Sequence, residues 1–311
     1  MFFTNKSVSF NPEKDIPPLT GKVILVTGGN AGLGKQAVLE FARHQPQQIW
    51  LAARNIEKAT TTANEIKQQV PSANITVLEL DLASFSSIKT AATTILSTTP
   101  RLDILMLNAG IMAVPPALTR DGYEIEFGTN HMGHALLTKL LLPLLLKTAA
   151  GTTTPNHLPD IRIISLSSHG HTFLPKDGFN FASLKTKAED MGIYGRYYQS
   201  KLANILWARQ LAREYPQLTV ASVHPGLVQT QIYEESTGAP GIVRFLTRVG
   251  KRLLTPVDQG VRNQLWAAVG AGVESGEYYE PVGVKGAGSE DARDEELAGR
   301  VWAWTERELE G

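Results

Sequence analysis

The 311-residue chain contains no cysteine. Disulfide bonds, thiol nucleophiles and cysteine-ligated zinc are therefore excluded, and the composition suits a reducing compartment. Charge of one sign is also lacking, because 30 Lys and Arg side chains balance 30 Asp and Glu side chains. Zero net charge gives no electrostatic reason to expect binding to nucleic acid or to an anionic membrane surface. We predict neither partner.

Long apolar runs are missing as well. The first residues, MFFTNKSVSFNPEKDIPPL, lack the apolar segment of a signal peptide, so none is expected. The longest apolar run, Ala135–Leu146, is interrupted by Thr138, Lys139 and Pro143 and is too short to span a bilayer. These features predict a soluble, cytoplasmic protein without a membrane span.

Short β-branched or apolar runs alternate with segments of helical length. The runs are KVILVTG, QIWLAAR, ITVLELD, LDILMLNAG, IRIISLSS and LTVASVHPG, at residues 22–28, 48–54, 75–81, 102–110, 161–168 and 218–226. The helical segments are Leu33–His44, Ile56–Val70, Phe85–Leu96, Tyr123–Lys147 and Tyr197–Tyr215. Strands apolar on both faces, each followed by a helix, predict a parallel sheet covered on both sides. We predict an α/β protein with a doubly wound Rossmann fold and about seven strands.

One domain is expected to contain all of these elements. No internal repeat or interdomain linker is visible in the sequence. Residues 1–20 are predicted to form an extended, proline-punctuated arm. Residues 21–311 are predicted to form a single catalytic domain.

A glycine-rich turn follows the first predicted strand. The stretch TGGNAGLGK places Gly28, Gly32 and Gly34 before a helix. Glycines that lead into a helix N-terminus allow backbone N–H groups to approach a phosphate closely. The spacing is G-x3-G-x-G rather than G-x-G-x-x-G, and a plain glycine-rich turn is the alternative. The place of the turn in an alternating α/β pattern favours dinucleotide binding.

The ends of the second and third strands bear on which dinucleotide binds. The second strand ends Ala52-Ala53-Arg54, without the acid that usually binds the ribose 2′-hydroxyl of NAD. Arg54 can form bidentate, charge-assisted hydrogen bonds to a 2′-phosphate, and a solvated surface arginine is the alternative. We therefore predict NADP. Asp81 either caps the next helix or accepts a hydrogen bond from the adenine amino group.

Three tyrosines precede one lysine in the stretch YGRYYQSKLANIL, residues 194–206. Residues three and four apart share one face of a helix, so Tyr197 and Tyr198 can both meet Lys201. A neighbouring ammonium group lowers the pKa of a tyrosine and makes it a better proton shuttle near neutral pH. Tyr194 lies two turns away and is expected to precede the helix. The spacing alone leaves Tyr197 and Tyr198 undecided.

Seven short motifs, in order along the chain, resemble the short-chain dehydrogenase/reductase family over residues 20 to 310. They are TGGNAGLG, LDLAS at 80–84, NAG at 108–110, TNHMGH at 129–134, SLSS at 165–168, YYQSK at 197–201 and HPGLVQT at 224–230. The stretches FGTNHMGHALLT and YYQSKLANIL look closest to the retinol-dehydrogenase-like branch, which includes fungal relatives of secondary metabolism.

This resemblance implies a catalytic set of four residues. The family pattern YxxxK makes Tyr197 the general acid/base and Lys201 its partner, which also holds the cofactor ribose. Ser168 would polarise the substrate carbonyl, and Asn130 would position a water in the proton relay. The implied cofactor-binding residues are Gly28, Asn30, Gly32, Leu33, Gly34, Arg54, Asp81, Leu82, Asn108, Ala109, Gly110, Tyr197, Lys201, Pro225, Gly226, Val228 and Thr230.

Two segments are expected to shape substrate choice. Ser168 and Tyr197 are 29 positions apart, more than in compact members of the family, so residues 169–196 would be an insertion beside the site. The resemblance makes residues 231–256 a substrate lid. Both segments carry Phe, Tyr, Ile or Leu, which predicts an apolar and fairly bulky ketone, aldehyde or alcohol.

The histidine pairs and the leucine-rich helix receive other interpretations. His131, His134, His169 and His171 lack further ligands at a convincing spacing, so no metal site is predicted. In the family that the chain resembles, the helix containing ALLTKLLLPLLL often forms a dimer face. A homo-oligomer is therefore one expectation.

Taken together, the sequence predicts an NADP(H)-dependent oxidoreductase that interconverts an apolar ketone or aldehyde and its alcohol. We expect this reaction in lipid-like or secondary-metabolite biosynthesis. A non-redox isomerase or cyclase on the same scaffold is one alternative, and a catalytically idle NADP-binding scaffold protein is the other. The intact set of Asn130, Ser168, Tyr197 and Lys201 argues against the idle protein but not against the non-redox enzyme.

Overall fold

The computed structural model describes residues 7–151, 160–175, 178–229, 232, 236–238 and 254–310. The predicted cofactor-binding residue Thr230 lies outside the described residues. Most of the predicted lid at 231–256 lies outside them too. Within the predicted arm, residues Pro12–Asp15 form one short helix, α1, and the side chains of Phe10, Ile16 and Leu19 are buried.

Eight strands in the described part of the chain form one sheet. They are β1 Val23–Thr27, β2 Gln48–Ala53, β3 Ile75–Glu79, β4 Ile104–Leu107, β5 Arg162–Leu166, β6 Thr219–Val223, β7 Tyr278–Glu280 and β8 Val284–Lys285. Their order is β3-β2-β1-β4-β5-β6-β7-β8. All neighbours pair in parallel except β7 and β8, which are antiparallel. The doubly wound prediction is confirmed, with two short strands added beyond the six predicted runs.

The helices follow the strands. Beyond α1 they are α2 Gly32–Arg43, α3 Ile56–Gln69, α4 Phe85–Thr98, α5 Ile125–Phe127, α6 Gly133–Ala150, α7 Gly192–Glu214, α8 Val257–Gly260, α9 Arg262–Val269 and α10 Glu295–Leu309. Residues Gly128–Met132, between α5 and α6, form a turn of π-helix. The predicted helix starting at Tyr197 begins five residues earlier, at Gly192, so the expectation that Tyr194 precedes the helix is wrong.

Two apolar layers cover the two faces of the sheet. Helices α2, α3 and α9 contribute to one layer, in which Phe41, Ile66 and Leu265 are fully buried. Helices α4, α6 and α7 contribute to the other, with Ile88 and Leu137 fully buried. Strands β1, β4 and β5 are buried along their whole length because both of their faces are covered.

The sheet order changes direction between β1 and β4. From β1 the chain proceeds to β2 and β3 on one side, and then returns to β4 on the other. In doubly wound sheets, ligands bind at such a switch point, in the crevice at the carboxyl ends of the strands. The glycine turn after β1 and the NAG motif after β4 lie at this crevice.

Candidate active site

A cavity of about 540 Å³ occupies the crevice. Residues following β1, β2, β3, β4, β5 and β6 line it together with residues of α7. The lining contains every predicted site residue in the described part of the chain except Asn130. The sheet therefore brings the separate motifs of the sequence together at one place.

The glycine turn after β1 is shaped for close approach. Gly28 has φ +66°, in the region that favours glycine, and its N–H donates to Ala52 O at 2.7 Å. A Cβ added to Gly34 would fall 2.2 Å from Gly28 O and 2.6 Å from Asn108 Nδ2, so no side chain fits there. Helix α2 begins without a side-chain cap, and its first N–H groups are left available for an anion. This cradle fits a pyrophosphate.

Two cations stand at the end of the cavity next to β2. Arg54 and Lys58 are exposed and line the cavity, and neither forms a hydrogen bond or salt bridge with another described residue through its side chain. Asn55 starts helix α3 between them by accepting a hydrogen bond from the Lys58 N–H at 2.8 Å. The sequence analysis missed Lys58, although its place four residues after Arg54 in the first turn of a helix was a usable signal.

Asp81 and Leu82 line the cavity after β3. The Asp81 carboxylate accepts a hydrogen bond from the Ala83 N–H at 3.0 Å and does not cap the next helix. Ser84 caps helix α4 instead, because its hydroxyl accepts from the Ser87 N–H. The capping alternative for Asp81 is therefore wrong, while the adenine alternative stays a prediction.

The NAG motif after β4 is locked to β1. Asn108 donates from Nδ2 to Thr27 O at 2.8 Å, and the Asn108 and Ala109 N–H groups donate to Thr27 Oγ1 at 2.9 and 3.0 Å. A Cβ at Gly110 would lie 3.2 Å from Asn130 Oδ1 and 3.3 Å from Lys201 Nζ. The backbone of this motif thus lies directly against two of the predicted catalytic residues.

Asn130 lies in the π-helical turn and is fully buried. Its Oδ1 accepts from the Ile111 N–H at 2.8 Å, and its Nδ2 donates to Ile111 O and Ser200 Oγ, each at 2.9 Å. Ser200 Oγ in turn donates to Tyr197 O at 2.8 Å. The amide therefore ties the π-turn to the loop after β4 and to helix α7, which carries Tyr197.

His134 links this turn to β1. Its Nδ1 lies 3.0 Å from Asn130 O and its Nε2 lies 2.9 Å from Thr27 Oγ1. A carbonyl oxygen can only accept, so Nδ1 carries the proton and Thr27 Oγ1 donates to Nε2. Burial lowers the pKa of His134 to about 4 and that of His131 to about 3, so both rings are neutral. Both histidines fill structural hydrogen-bonding roles.

Tyr197 and Lys201 lie one helical turn apart on α7 and both line the cavity. The Lys201 Nζ lies 5.6 Å from the centroid of the Tyr197 ring and donates to Leu166 O at 3.1 Å. Burial lowers the pKa of Lys201 to about 8, and the Glu126 carboxyl acts in the opposite direction. Tyr197 is 8% exposed. A tyrosine beside a buried ammonium is an arrangement suited to proton transfer.

Tyr198 has different neighbours. Its ring stacks on Tyr194 at 6.1 Å with an interplanar angle of 18°, and the Phe173 ring lies 5.7 Å away. Burial and Tyr194 raise the pKa of Tyr198, which disfavours its phenolate. Helix geometry therefore directs Tyr197 to the lysine and Tyr198 to an aromatic wall.

Ser168 lines the cavity two residues after the end of β5, and it caps the 3-10 helix His169–Phe173. Its Oγ accepts from the Gly170 N–H at 3.0 Å, which fixes the hydroxyl while leaving its proton free to be donated. Ser167 also lines the cavity, but its Oγ donates its proton to Lys201 O at 2.7 Å. The two serines of the motif therefore differ in their hydrogen bonds, and Ser168 is the one whose hydroxyl proton is available.

The remaining predicted cofactor-binding residues line two other parts of the cavity. Asn30 and Leu33 belong to the turn and helix after β1, and Pro225, Gly226 and Val228 follow β6. The Asn30 carbonyl oxygen accepts from Thr62 Oγ1 at 3.0 Å, which fastens the turn to helix α3.

A buried ionic cluster next to the site was missed by the sequence analysis. Glu126 Oε1 accepts from the Val114 N–H at 2.9 Å, and Arg196 Nη2 donates to Val114 O at 2.7 Å. Glu124 Oε1 lies 3.3 Å from Arg196 Nε. Burial, with a smaller contribution from the nearby Glu124, raises the pKa of Glu126 to about 8. The cluster holds the wall of the cavity that follows the NAG motif, where Ala113 has φ +51°.

Comparison with known proteins decides the family. A family model described as short chain dehydrogenase matches residues 22–153. The Short-chain dehydrogenase/reductase drtF of Aspergillus calidoustus is 37% identical, over 94% of this chain and 95% of its own. Retinol dehydrogenase 13 of Homo sapiens is 35% identical, over 93% of this chain and 85% of its own. This chain belongs to the short-chain dehydrogenase/reductase family.

Solved structures share the fold. An uncharacterised protein from Mycobacterium paratuberculosis has a TM-score of 0.73 at 28% identity, with 96% of this chain and 97% of that chain covered. A short chain dehydrogenase from Escherichia coli CFT073, solved with NADPH, has a TM-score of 0.62 at 22% identity, with 85% and 98% covered. The second likeness shows the fold alone.

The resemblance to the retinol-dehydrogenase-like branch is confirmed, since retinol dehydrogenases and fungal family members are both among the relatives. As a family member, the chain is an oxidoreductase that binds a nicotinamide cofactor and acts between a carbonyl and an alcohol. Within the described residues, no helix is long and apolar enough to cross a membrane.

Proposed function

We propose that this protein is an NADP(H)-dependent oxidoreductase that interconverts an apolar ketone or aldehyde and its alcohol, with Tyr197 as general acid/base. The observation that carries the proposal is the Tyr197–Lys201 pair, which lines the same cavity as the glycine turn. We also propose a role in secondary-metabolite or lipid-like biosynthesis, as the sequence predicts.

The choice of NADP rests on the charges at the end of β2. Arg54 and Lys58 are both exposed cations without a side-chain partner among the described residues, and no acidic side chain ends the strand. A 2′-phosphate supplies the anion that they lack, and the Arg54 guanidinium can bind it through two hydrogen bonds. Carboxylates that would bind a free 2′-hydroxyl are absent from this strand end.

Proton transfer in this proposal runs through Tyr197. When bound, the nicotinamide cofactor would supply the hydride for the carbonyl carbon. Tyr197 donates its phenolic proton to the carbonyl oxygen, and in the reverse direction takes the proton from the alcohol. Lys201 is held between Leu166 O and the NAG backbone, and its ammonium favours the phenolate form of Tyr197.

Ser168 and Asn130 have supporting roles. Ser168 keeps its hydroxyl proton for the substrate carbonyl, because its oxygen is already fixed by the Gly170 N–H. The Asn130 side chain is fully engaged with Ile111 and Ser200, so the backbone carbonyl is the group proposed to position a water of the proton relay. This carbonyl also accepts from His134 Nδ1.

The remaining cofactor contacts in the described residues are assigned by position in the cavity. The glycine turn takes the pyrophosphate, Asp81 and Leu82 face the adenine, and Asn108–Gly110 line the adenosine ribose. Pro225, Gly226 and Val228 hold the carboxamide and pyrophosphate, and Thr230, which lies outside the described residues, is assigned the same role from the family resemblance. We further propose a single catalytic domain over residues 21–311, a cytoplasmic location and pairing of two copies through α6.

Cofactor binding is the first test of this function. The five tryptophans provide energy transfer to a bound reduced nicotinamide, which reports the affinities for NADPH and NADH. Tight NADPH and weak NADH binding, followed by turnover of apolar ketones, is the expected result. NADPH binding without turnover across a broad carbonyl panel favours the idle scaffold, and a product of unchanged oxidation level favours the isomerase or cyclase.

A further inference from the structure

A histidine at the mouth of the cavity is oriented by a carboxylate. His169 follows Ser168 directly and lines the cavity. Its Nδ1 lies 2.6 Å from Glu280 Oε1, an atom that also accepts from the Tyr278 hydroxyl at 3.1 Å. An ionised carboxylate can only accept, so His169 Nδ1 carries a proton. In the neutral ring, Nε2 is then a hydrogen-bond acceptor.

The acceptor has no partner within the part of the chain that the structure describes. No described residue hydrogen-bonds to His169 Nε2, and the ring is close to half exposed. The neighbouring His224 is 7% exposed and lines the same cavity, with its ring centroid 6.1 Å from that of His169. His224 Nδ1 is buried without a hydrogen-bond partner among the described residues. This corner of the cavity therefore has unmet hydrogen-bonding capacity.

An aromatic wall adjoins the corner. The Phe173 ring lies 5.8 Å from the His169 ring and 5.7 Å from Tyr198, which stacks on Tyr194. Phe173 is 63% exposed, although an aromatic side chain gains most from being covered. All three aromatic residues line the cavity, so the wall offers a surface on which a planar ring can stack.

We propose that the substrate is a planar aromatic ketone or aldehyde that carries a hydroxyl group. Phe173, Tyr194 and Tyr198 take the ring, and His169, oriented by Glu280, accepts a hydrogen bond from the hydroxyl. This inference rests on the proposed function, because it names the substrate class of the same site. A plain hydrocarbon carbonyl would leave polar nitrogen atoms covered and unpaired, and sites built around a hydroxyl reject such analogues.

The test measures binding apart from turnover. Protein saturated with NADP⁺ is titrated with tetralone, with its phenolic isomers covering each position of the aromatic ring, and with their methyl ethers. We expect at least one phenol to bind about tenfold more tightly than its ether and than tetralone itself, in line with one hydrogen bond. His169→Phe keeps a ring of similar size without the acceptor, and is expected to bring the ratio to about one.

Phe173→Leu is the matched control. It removes one ring of the wall and leaves His169 in place, so it is expected to weaken all ligands by a similar factor and keep the phenol preference. Any of three results would overturn the subsite. The wild-type protein could show no preference for a phenol, the preference could survive in His169→Phe, or none of these compounds could bind. Selective phenol binding that depends on His169, without NADPH oxidation by any of the ketones, would support the subsite and refute the proposed oxidoreductase function.

Discussion

Removal of the Arg54 guanidinium tests the assignment of the 2′-phosphate site. Arg54 is exposed, so solvent screens its interaction, and a charge-assisted hydrogen-bonded pair at such a site falls at the low end of about 1.5–3 kcal/mol. Since about 1.4 kcal/mol is a tenfold change in affinity, Arg54→Ala is expected to weaken NADPH binding by about tenfold. NADH has no 2′-phosphate, so its affinity is expected to stay within about twofold.

The assay is a titration of both reduced cofactors by energy transfer from tryptophan, at low and at high salt. Lys58 still faces the cavity in Arg54→Ala, so a residual NADPH preference is expected, and Arg54→Ala with Lys58→Ala is expected to remove it. Arg307→Ala, an exposed arginine of α10 outside the cavity, is the control and should leave both affinities unchanged. Equal weakening of NADPH and NADH by Arg54→Ala would refute the assignment.

Three further predictions follow from burial and close packing. Gly34→Ala is expected to abolish cofactor binding, because the added Cβ would overlap Gly28 O. The control is Gly299→Ala, whose added Cβ has no atom nearby. This variant is expected to bind the cofactor normally and to gain up to about 1 kcal/mol of stability in denaturant titrations. The value of kcat/KM for reduction is expected to fall above about pH 8, because the pKa of Lys201 is lowered to about 8 and its ammonium group loses a proton above that pH. A kcat/KM that stays constant up to about pH 10 would contradict this prediction. His131 and His134 stay neutral in the folded protein between pH 7 and pH 5, whereas in the unfolded chain they bind protons below about pH 6.5. Acid therefore stabilises the unfolded chain, and the free energy of unfolding is expected to fall by about 2 kcal/mol per histidine between pH 7 and pH 5. Urea titrations at both pH values measure that fall, and equal stabilities would show that the rings are not neutral.

Local pattern was enough to predict the central fold. Six strands and the helices between them follow from apolar runs and helical spacing. All six except the edge strand β3 are buried along nearly all of their length, and the glycine turn marks the first crossover. Strands β7 and β8 were not predicted. They contain only three and two residues, which are not buried on both faces, so they carry almost no periodic signal in the sequence. The start of helix α7 was predicted five residues too late, because Gly192 and Gly195 weaken the helical pattern that precedes Tyr197.

The site was predicted unevenly for a similar reason. Motif residues at strand ends were predicted mainly from their resemblance to those of a known family, and parallel strands bring their carboxyl ends to one edge of the sheet. Hydrogen bonds between residues that are distant in sequence were not predicted. Examples are Glu280 with His169, separated by 111 positions, and Arg196 with Val114, separated by 82. Spacing alone could not separate Tyr197 from Tyr198, and the family pattern YxxxK favoured Tyr197. The structure gives the two rings different neighbours, the Lys201 ammonium beside Tyr197 and the Tyr194 ring beside Tyr198.

The most direct test of the central claim is hydride transfer to a carbonyl substrate from NADPH that carries deuterium at both hydrogens of nicotinamide C4, measured by mass spectrometry of the alcohol. Wild-type protein and Tyr198→Phe are expected to give deuterated alcohol at rates within a few-fold of each other, while Tyr197→Phe is expected to lose about a hundredfold or more, the contribution of one positioned proton donor. Deuterium in the alcohol that depends on Tyr197 would establish the oxidoreductase and its acid. Loss of transfer in Tyr198→Phe with Tyr197→Phe unaffected, or a product without deuterium, would contradict the account.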